Sequence, residues 1–179
     1  MVDSKIRRTP RRVRLIGASS LVVLATLLAG CSSSPPTATP TTQAESILTG
    51  PQLVDIYKST LKNFDLPLPE GAKIPANPPK SLGDNSGQIG AAEGPVYFYW
   101  LCTWERDYLV AFAANDSARE SKALTMMASF ESTDFAKKYV DDPTHGWRTH
   151  VIDPAKLGDP SGVRDDMASG CVDFGIPIP

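Results

Sequence analysis

The chain has 179 residues, with 18 Lys and Arg, 20 Asp and Glu, and a formal net charge of −2 at pH 7. This length suits one ordinary domain with a tether, and it is short for the two lobes of a transport-system solute receptor. Beyond residue 14 there is no extended run of Lys or Arg, which argues against a nucleic-acid partner.

The first 30 residues have the organisation of an export signal. Six basic residues between Lys5 and Arg14 precede an apolar segment, Leu15–Leu28, as in secretory signals. Because this segment is shorter than the ~20 residues of a membrane-spanning helix, a cleaved signal over residues 1–30 is favoured over a permanent transmembrane anchor. The pair Arg11-Arg12 leaves twin-arginine export open beside the Sec route.

The apolar segment ends in Leu28-Ala29-Gly30-Cys31, which is followed by three serines. This tetrapeptide resembles the lipobox of bacterial lipoproteins residue for residue. The resemblance implies cleavage after Gly30, a diacylglycerol thioether on the Cys31 thiol and acylation of the new amino terminus, with palmitate among the acyl groups. The membrane is then a partner through these chains, which would hold the protein on the extracytoplasmic side of the cell membrane.

Residues 31–46 combine the lipidated cysteine with a Ser/Thr/Pro-rich tether, since this composition cannot bury enough apolar surface to fold. The tether and the Arg-rich leader look similar to those of actinobacterial lipoproteins of unknown function. Removal of residues 1–30 takes away six basic residues and one acidic residue, and leaves 149 residues with a formal charge of −7. This balance favours a solvated domain over electrostatic docking on anionic lipid.

Two cysteines remain for the folded part if Cys31 is acylated. In an exported chain, oxidising surroundings make a disulfide the default for such a pair. We therefore predict a Cys102–Cys171 disulfide, which contributes ~4 kcal/mol in the chain-entropy model. Two free thiols are the alternative.

Residues 47–179 form the predicted globular domain. Gly50-Pro51 opens a first helix, because apolar residues then recur at three- and four-residue spacing as far as Phe64. Residues 65–95 are rich in Pro and Gly and predict a long irregular loop that is either functional or loosely ordered. If the domain binds a ligand, this loop is the first place to look.

The segment 96–113 is the most hydrophobic part of the domain and predicts a helix over most of its length. Its aromatic residues at 97–100 leave a short initial strand as the alternative. Trp100 and Trp104 are expected to pack in the core, with stacking on a sugar ring as the alternative.

Asp116 predicts the cap of the next helix, which continues to Phe130, and Ser132 or Thr133 caps a short helix over Asp134–Val140. Residues 143–158 predict turn and extended chain.

Asp159-Pro160 starts the last helix, in which Val163, Met167 and Cys171 share the buried face. The adjacent Asp165-Asp166 is expected to face water in the first turn of this helix. The fold class is therefore mainly α: a small single domain of about four helices, with Pro/Gly-rich connections and one disulfide.

Motifs for catalysis and metal binding are scarce. His145 and His150, with Asp141 or Asp142, allow a metal site, but no third soft ligand is indicated, and we predict no metal and no cofactor. No G-x-S-x-G motif is present, and acidic residues are too numerous to single out a catalytic pair.

These observations predict a lipid-anchored envelope lipoprotein that acts as a non-enzymatic binding module for an envelope protein or a cell-wall component. No catalytic residues are assigned. The alternative is a cell-wall hydrolase that uses a carboxylate pair, which predicts a cleft holding two acids at a fixed separation.

Overall fold

The computed structural model describes residues 46–179, so the export signal, Cys31 and nearly all of the tether lie outside the described range. Within this range the regular structure is helical, apart from one antiparallel bridge between Leu48 and Gly87, and the mainly-α prediction is confirmed. The seven α-helices of the described residues are α1 (Gly50–Lys62), α2 (Lys80–Asp84), α3 (Ile89–Ala113), α4 (Ser117–Ala128), α5 (Asp134–Tyr139), α6 (Asp153–Lys156) and α7 (Ser161–Asp166). Shorter elements are the π-helical turns Arg148–Ile152 and Met167–Cys171 and the 3-10 turns Phe130–Ser132 and Val172–Phe174.

The long helix α3 is the centre of the domain, with α1 and α4 as its main neighbours. Trp100 and Trp104 are 0% and 1% exposed, so both tryptophans pack in the core as predicted. The Sγ atoms of Cys102 and Cys171 lie 2.02 Å apart. The predicted disulfide therefore joins α3 to the π-helical turn that follows α7.

Helix α3 begins at Ile89, seven residues before the predicted start at residue 96, and the alternative of an initial strand is wrong. Pro95 lies inside the helix, although proline and the residue before it normally disfavour helical backbone. The missing amide hydrogen leaves the carbonyl of Ala91 without its helical partner. Because Ala91 is exposed, this carbonyl can bond to water, which lowers the cost of the proline.

The segment predicted as a long loop, residues 65–95, is more ordered than expected, since it contains α2 and the first turns of α3. Its remaining part is tied to the core by three buried side chains. The indole N–H groups of Trp100 and Trp104 both donate to the carbonyl of Pro67, at 2.7 and 3.0 Å. The Tyr57 hydroxyl donates to the carbonyl of Pro75 at 2.6 Å.

Two of the predicted helix starts are confirmed by their caps. The Asp116 side chain accepts from the amide of Arg119, and the Thr133 hydroxyl accepts from the amide of Ala136. These contacts satisfy amides that have no partner within the helix. The capping residues therefore account for where α4 and α5 begin.

The chain between residues 143 and 158 differs from the prediction. Residues 143–158 were expected to be turn and extended chain, but they contain the π-helical turn Arg148–Ile152 and the short helix α6. This part buries Val151 and Ile152 against the main apolar cluster, and a helical turn allows two consecutive side chains to face the core, whereas a strand directs them to opposite faces. Among residues 46–179, no helix is both long and apolar enough to cross a membrane.

Candidate functional site

A cleft of about 590 Å³ opens beside α3. This volume is in the range of small-molecule sites. The cleft lies between α3, the chain from Phe130 to Trp147, and the C-terminal turns. Its apolar walls are formed chiefly by Phe98, Leu101, Phe130, Val140, Trp147 and Phe174.

The aromatic walls support one another. The ring of Phe130 packs against those of Phe98 and Trp147, with centroid separations of 5.7 and 5.9 Å. Phe98 and Val140 are also more than a third exposed, so the cleft presents apolar surface to solvent at its mouth. Such packing holds the walls in place without a ligand.

Glu105 is the buried polar group of the cleft. It lies on α3 and is only 1% exposed, and its Oε1 atom has no hydrogen-bond donor among the described residues. Its Oε2 atom lies 3.1 Å from the Sγ of Cys171. Because a disulfide sulfur carries no hydrogen, this sulfur can only accept, and weakly.

Asp166 lies at the end of α7 and lines the cleft beside Glu105. Burial, and then the hydrogen bond with Asp166 and its negative charge, raise the pKa of Glu105 well above its usual value. The raised pKa favours the protonated form of Glu105, which can donate to the Asp166 carboxylate. We call Glu105 and Asp166 the acid pair.

Trp147 is held in the cleft wall from both ends. Its indole N–H donates to Asp166 at 2.9 Å, and its backbone amide donates to Asp142 at 3.0 Å. Asp142 also accepts from the amide of Gly146 at 2.8 Å, and these two backbone contacts lower the pKa of Asp142. His145, which lies between Asp142 and Gly146 in the chain, adopts a left-handed backbone with φ of 52°. This conformation is strained for a residue other than glycine.

The rim of the cleft is charged. Glu131 pairs with Arg148 of the first π-helical turn, so this carboxylate is already neutralised. Lys137 and His145 are exposed cleft residues, as is Asp141. The rim is therefore mixed in charge, whereas the acid pair lies deeper.

The floor of the cleft brings three side chains of ligand type together. Atoms of Cys102, Glu105 and Cys171 lie within 4.8 Å of one another, which is the spacing of a metal site. The bonded sulfurs have no thiolate to offer, however, and thiolates are what metals bind. With the disulfide formed, this cluster is a closed apolar floor with one acid beside it.

Of the site residues predicted from the sequence, some line the cleft and others do not. Cys31 lies outside the described residues, and its lipidation stays a prediction. His145 lines the cleft, but His150 is exposed and its Nδ1 lies 2.7 Å from the carbonyl of Gly146. The two histidines are not part of any group of metal-ligating side chains in residues 46–179.

Two expectations about the location of the site have different outcomes: a ligand site at residues 65–95 stays a prediction, and the prediction that Asp166 faces water is wrong. Residues 65–95 do not line this cleft, which is built from α3 and later residues. The prediction that Asp165-Asp166 faces water holds for Asp165, which is exposed. Asp166 instead ends a helix that starts only at Ser161, so it lies beyond the first turn and reaches the cleft.

Sequence reasoning missed Glu105 altogether. A signal for it exists: it follows Leu101 by four residues and precedes Leu109 by four, so it lies on the apolar stripe of α3. An acid within such a stripe must be neutral, paired or functional when buried.

No protein-family model matches the chain, and no curated protein or solved structure is significantly similar to it. The assignment of a function therefore depends on the geometry of the cleft.

Proposed function

We propose that the protein is a lipid-anchored, extracytoplasmic binding module that holds a small, largely apolar ligand of the cell envelope in the cleft beside α3. The single observation that carries this proposal is a cleft with aromatic walls and one buried carboxyl oxygen, Oε1 of Glu105, that has no hydrogen-bond partner among the described residues. Such a combination of an apolar lining with a few polar groups is typical of ligand pockets.

Two backbone features also support a binding site here. π-helical turns occur frequently at functional sites, and both turns of this type adjoin the cleft, one after Trp147 and one carrying Cys171. The strained His145 lies on its rim. A left-handed backbone costs stability in a residue other than glycine, and His145 places this cost where the ligand would bind.

The carboxylate arrangement favours binding over hydrolysis of a glycan. Glycoside hydrolases separate their two carboxyls by about 5–9.5 Å, which leaves room for the substrate or a water. Of the five carboxyls that line this cleft, Glu131, Asp142 and Asp166 already accept from protein donors. Release of soluble fragments from cell wall by the wild-type chain, but not by Glu105→Gln, would favour the hydrolase instead.

The test is a fluorescence titration of the mature chain from Ser32 onward with N-phenyl-1-naphthylamine, an uncharged apolar probe. Both apolar clusters and the disulfide lie within residues 46–179, so this form retains the whole described core. We expect saturable binding of one probe per chain.

A matched pair of variants places the probe in the cleft. Gly170 lines the cleft, and a Cβ atom there would have no neighbour within 4 Å, so Gly170→Phe should fill the space without disturbing the fold. Ala168→Phe places the same ring at an exposed position of the same turn, outside the cleft lining. Loss of binding in Gly170→Phe alone supports the proposal, whereas equal binding by both variants, or no saturable binding at all, contradicts it.

A further inference from the structure

The polar groups of the cleft are predominantly acidic. Its lining contains five carboxylates and two basic side chains. Among the carboxylates, Glu131 is neutralised by Arg148 and Asp142 is occupied by two backbone amides. The basic residues Lys137 and His145 are exposed. Asp141 is exposed as well, which leaves the buried Glu105 and the half-buried Asp166, the acid pair.

The acid pair is short of hydrogen-bond donors. Its donor among the described residues is the Trp147 indole N–H, which lies 2.9 Å from Asp166 Oδ2. One donor cannot satisfy four carboxyl oxygens, and the buried Oε1 atom of Glu105 is left without one. The Asp166 carboxylate also places a negative charge beside apolar walls, which solvate it poorly.

An ammonium group matches these requirements in both charge and number of donors. It offers three N–H donors and one positive charge, and the rings of Phe130 and Trp147 line the same cleft. A hydrocarbon end placed against the pair would leave its oxygens without donors. An anion would be repelled by the charge.

We propose that the cleft binds an amphipathic amine, with the ammonium group on Glu105 and Asp166 and the apolar body against Phe98, Phe130 and Trp147. This inference rests on the proposed function, because it assumes that the cleft holds a ligand. It adds the chemical class of that ligand and its orientation, with the charged end deep and the apolar end toward the mouth.

The test compares three ligands with the same eight-carbon chain: octylammonium, octanol and octanoate, each measured by displacement of N-phenyl-1-naphthylamine at neutral pH. We expect octylammonium to bind about tenfold more tightly than octanol, since a hydrogen bond to a charged group is worth roughly one factor of ten or more. Octanoate should bind most weakly.

Two variants assign the preference to the acid pair. Asp166→Asn removes its negative charge and keeps the acceptor oxygen for Trp147, so octylammonium should lose its tenfold advantage while octanol binds as before. Asp165→Asn, at the exposed neighbouring position, makes the same chemical change outside the cleft and should leave the preference intact.

The outcomes separate the two proposals. If octanol and octylammonium bind equally, or if Asp166→Asn keeps the preference, the cleft binds apolar ligands but the inference about an amine is wrong. If neither the probe nor any of the three ligands binds, the proposed function fails and the inference fails with it.

Discussion

Replacement of Glu105 by glutamine should change how the stability of the domain depends on pH. In the folded chain, burial and the proximity of Asp166 raise the pKa of Glu105 well above its usual value. In the unfolded chain, this carboxyl returns to a pKa of about 4.3. Below that pH the group is protonated in both states, so its contribution to stability is fully present there.

As the pH rises above about 4.3, the unfolded chain releases the proton and the folded chain retains it. The free energy of unfolding then falls by about 1.4 kcal/mol for each pH unit, until the pH passes the folded pKa. Glutamine cannot titrate, and its amide can still donate a hydrogen bond to Asp166. Glu105→Gln should therefore match the wild type in acid and become progressively the more stable protein toward neutral pH.

The assay is urea unfolding followed by circular dichroism, repeated from below pH 4 to neutral pH, with the difference between variant and wild type plotted against pH. Other carboxyls with perturbed pKa values, such as Asp142 and Asp159, are present in both proteins and cancel in this difference. Glu70→Gln is the matched control, because Glu70 is exposed and its carboxyl stays in water. Asp166→Asn, in a chain that keeps Glu105, removes one cause of the raised Glu105 pKa. The fall of the unfolding free energy with pH should therefore end at a lower pH than in the wild type. It should not disappear, because burial is the largest cause of the raised pKa. Parallel curves for Glu105→Gln and the wild type would refute the reasoning.

Three further expectations concern the fold and the anchor. Gly50→Ala should destabilise the domain by about 1–3 kcal/mol, because a Cβ atom there would lie 2.0 Å from the backbone oxygen of Gly83. Gly83→Ala is the control, since its Cβ atom would meet only Val54, at 3.6 Å. Equal losses of stability in urea unfolding would count against this contact. Replacing Cys102 and Cys171 together by alanine should lower the unfolding free energy by about 4 kcal/mol, and a loss close to zero would show that the cross-link does not restrict the unfolded chain. Cys31→Ala should abolish palmitate labelling and membrane association in cells, and labelling that persists would remove the lipid anchor from the proposal.

Much of the helical framework could be predicted from local signals. The caps at Asp116 and Thr133 and the apolar spacing through Val163, Met167 and Cys171 depend on residues within one or two turns. The start of α3 could not be predicted this way. Its first seven residues contain Gly94 and Pro95, and only tertiary packing, such as that of Ala92 and Val96 against α1, favours helix there.

The cleft was less predictable because its parts are far apart in the chain. Glu105 and Asp166 come together only through the packing of the C-terminal turns on α3, which the Cys102–Cys171 disulfide reinforces. The prediction that Asp166 faces water applied the helix-dipole argument, which holds only for the first turn. A start at Ser161 places Asp166 beyond that turn.

The same contacts that complete the fold also form the acid pair. Trp147 is oriented by Asp142 at its amide and by Asp166 at its indole, so the aromatic wall and the acid pair share one hydrogen-bond network. A ligand donor that approached Asp166 would compete with or add to the indole contact. The Trp147 ring should therefore move more when an ammonium group binds than when an alcohol binds. Only the ammonium group forms an ion pair with the Asp166 carboxylate, which accepts the hydrogen bond of the indole N–H.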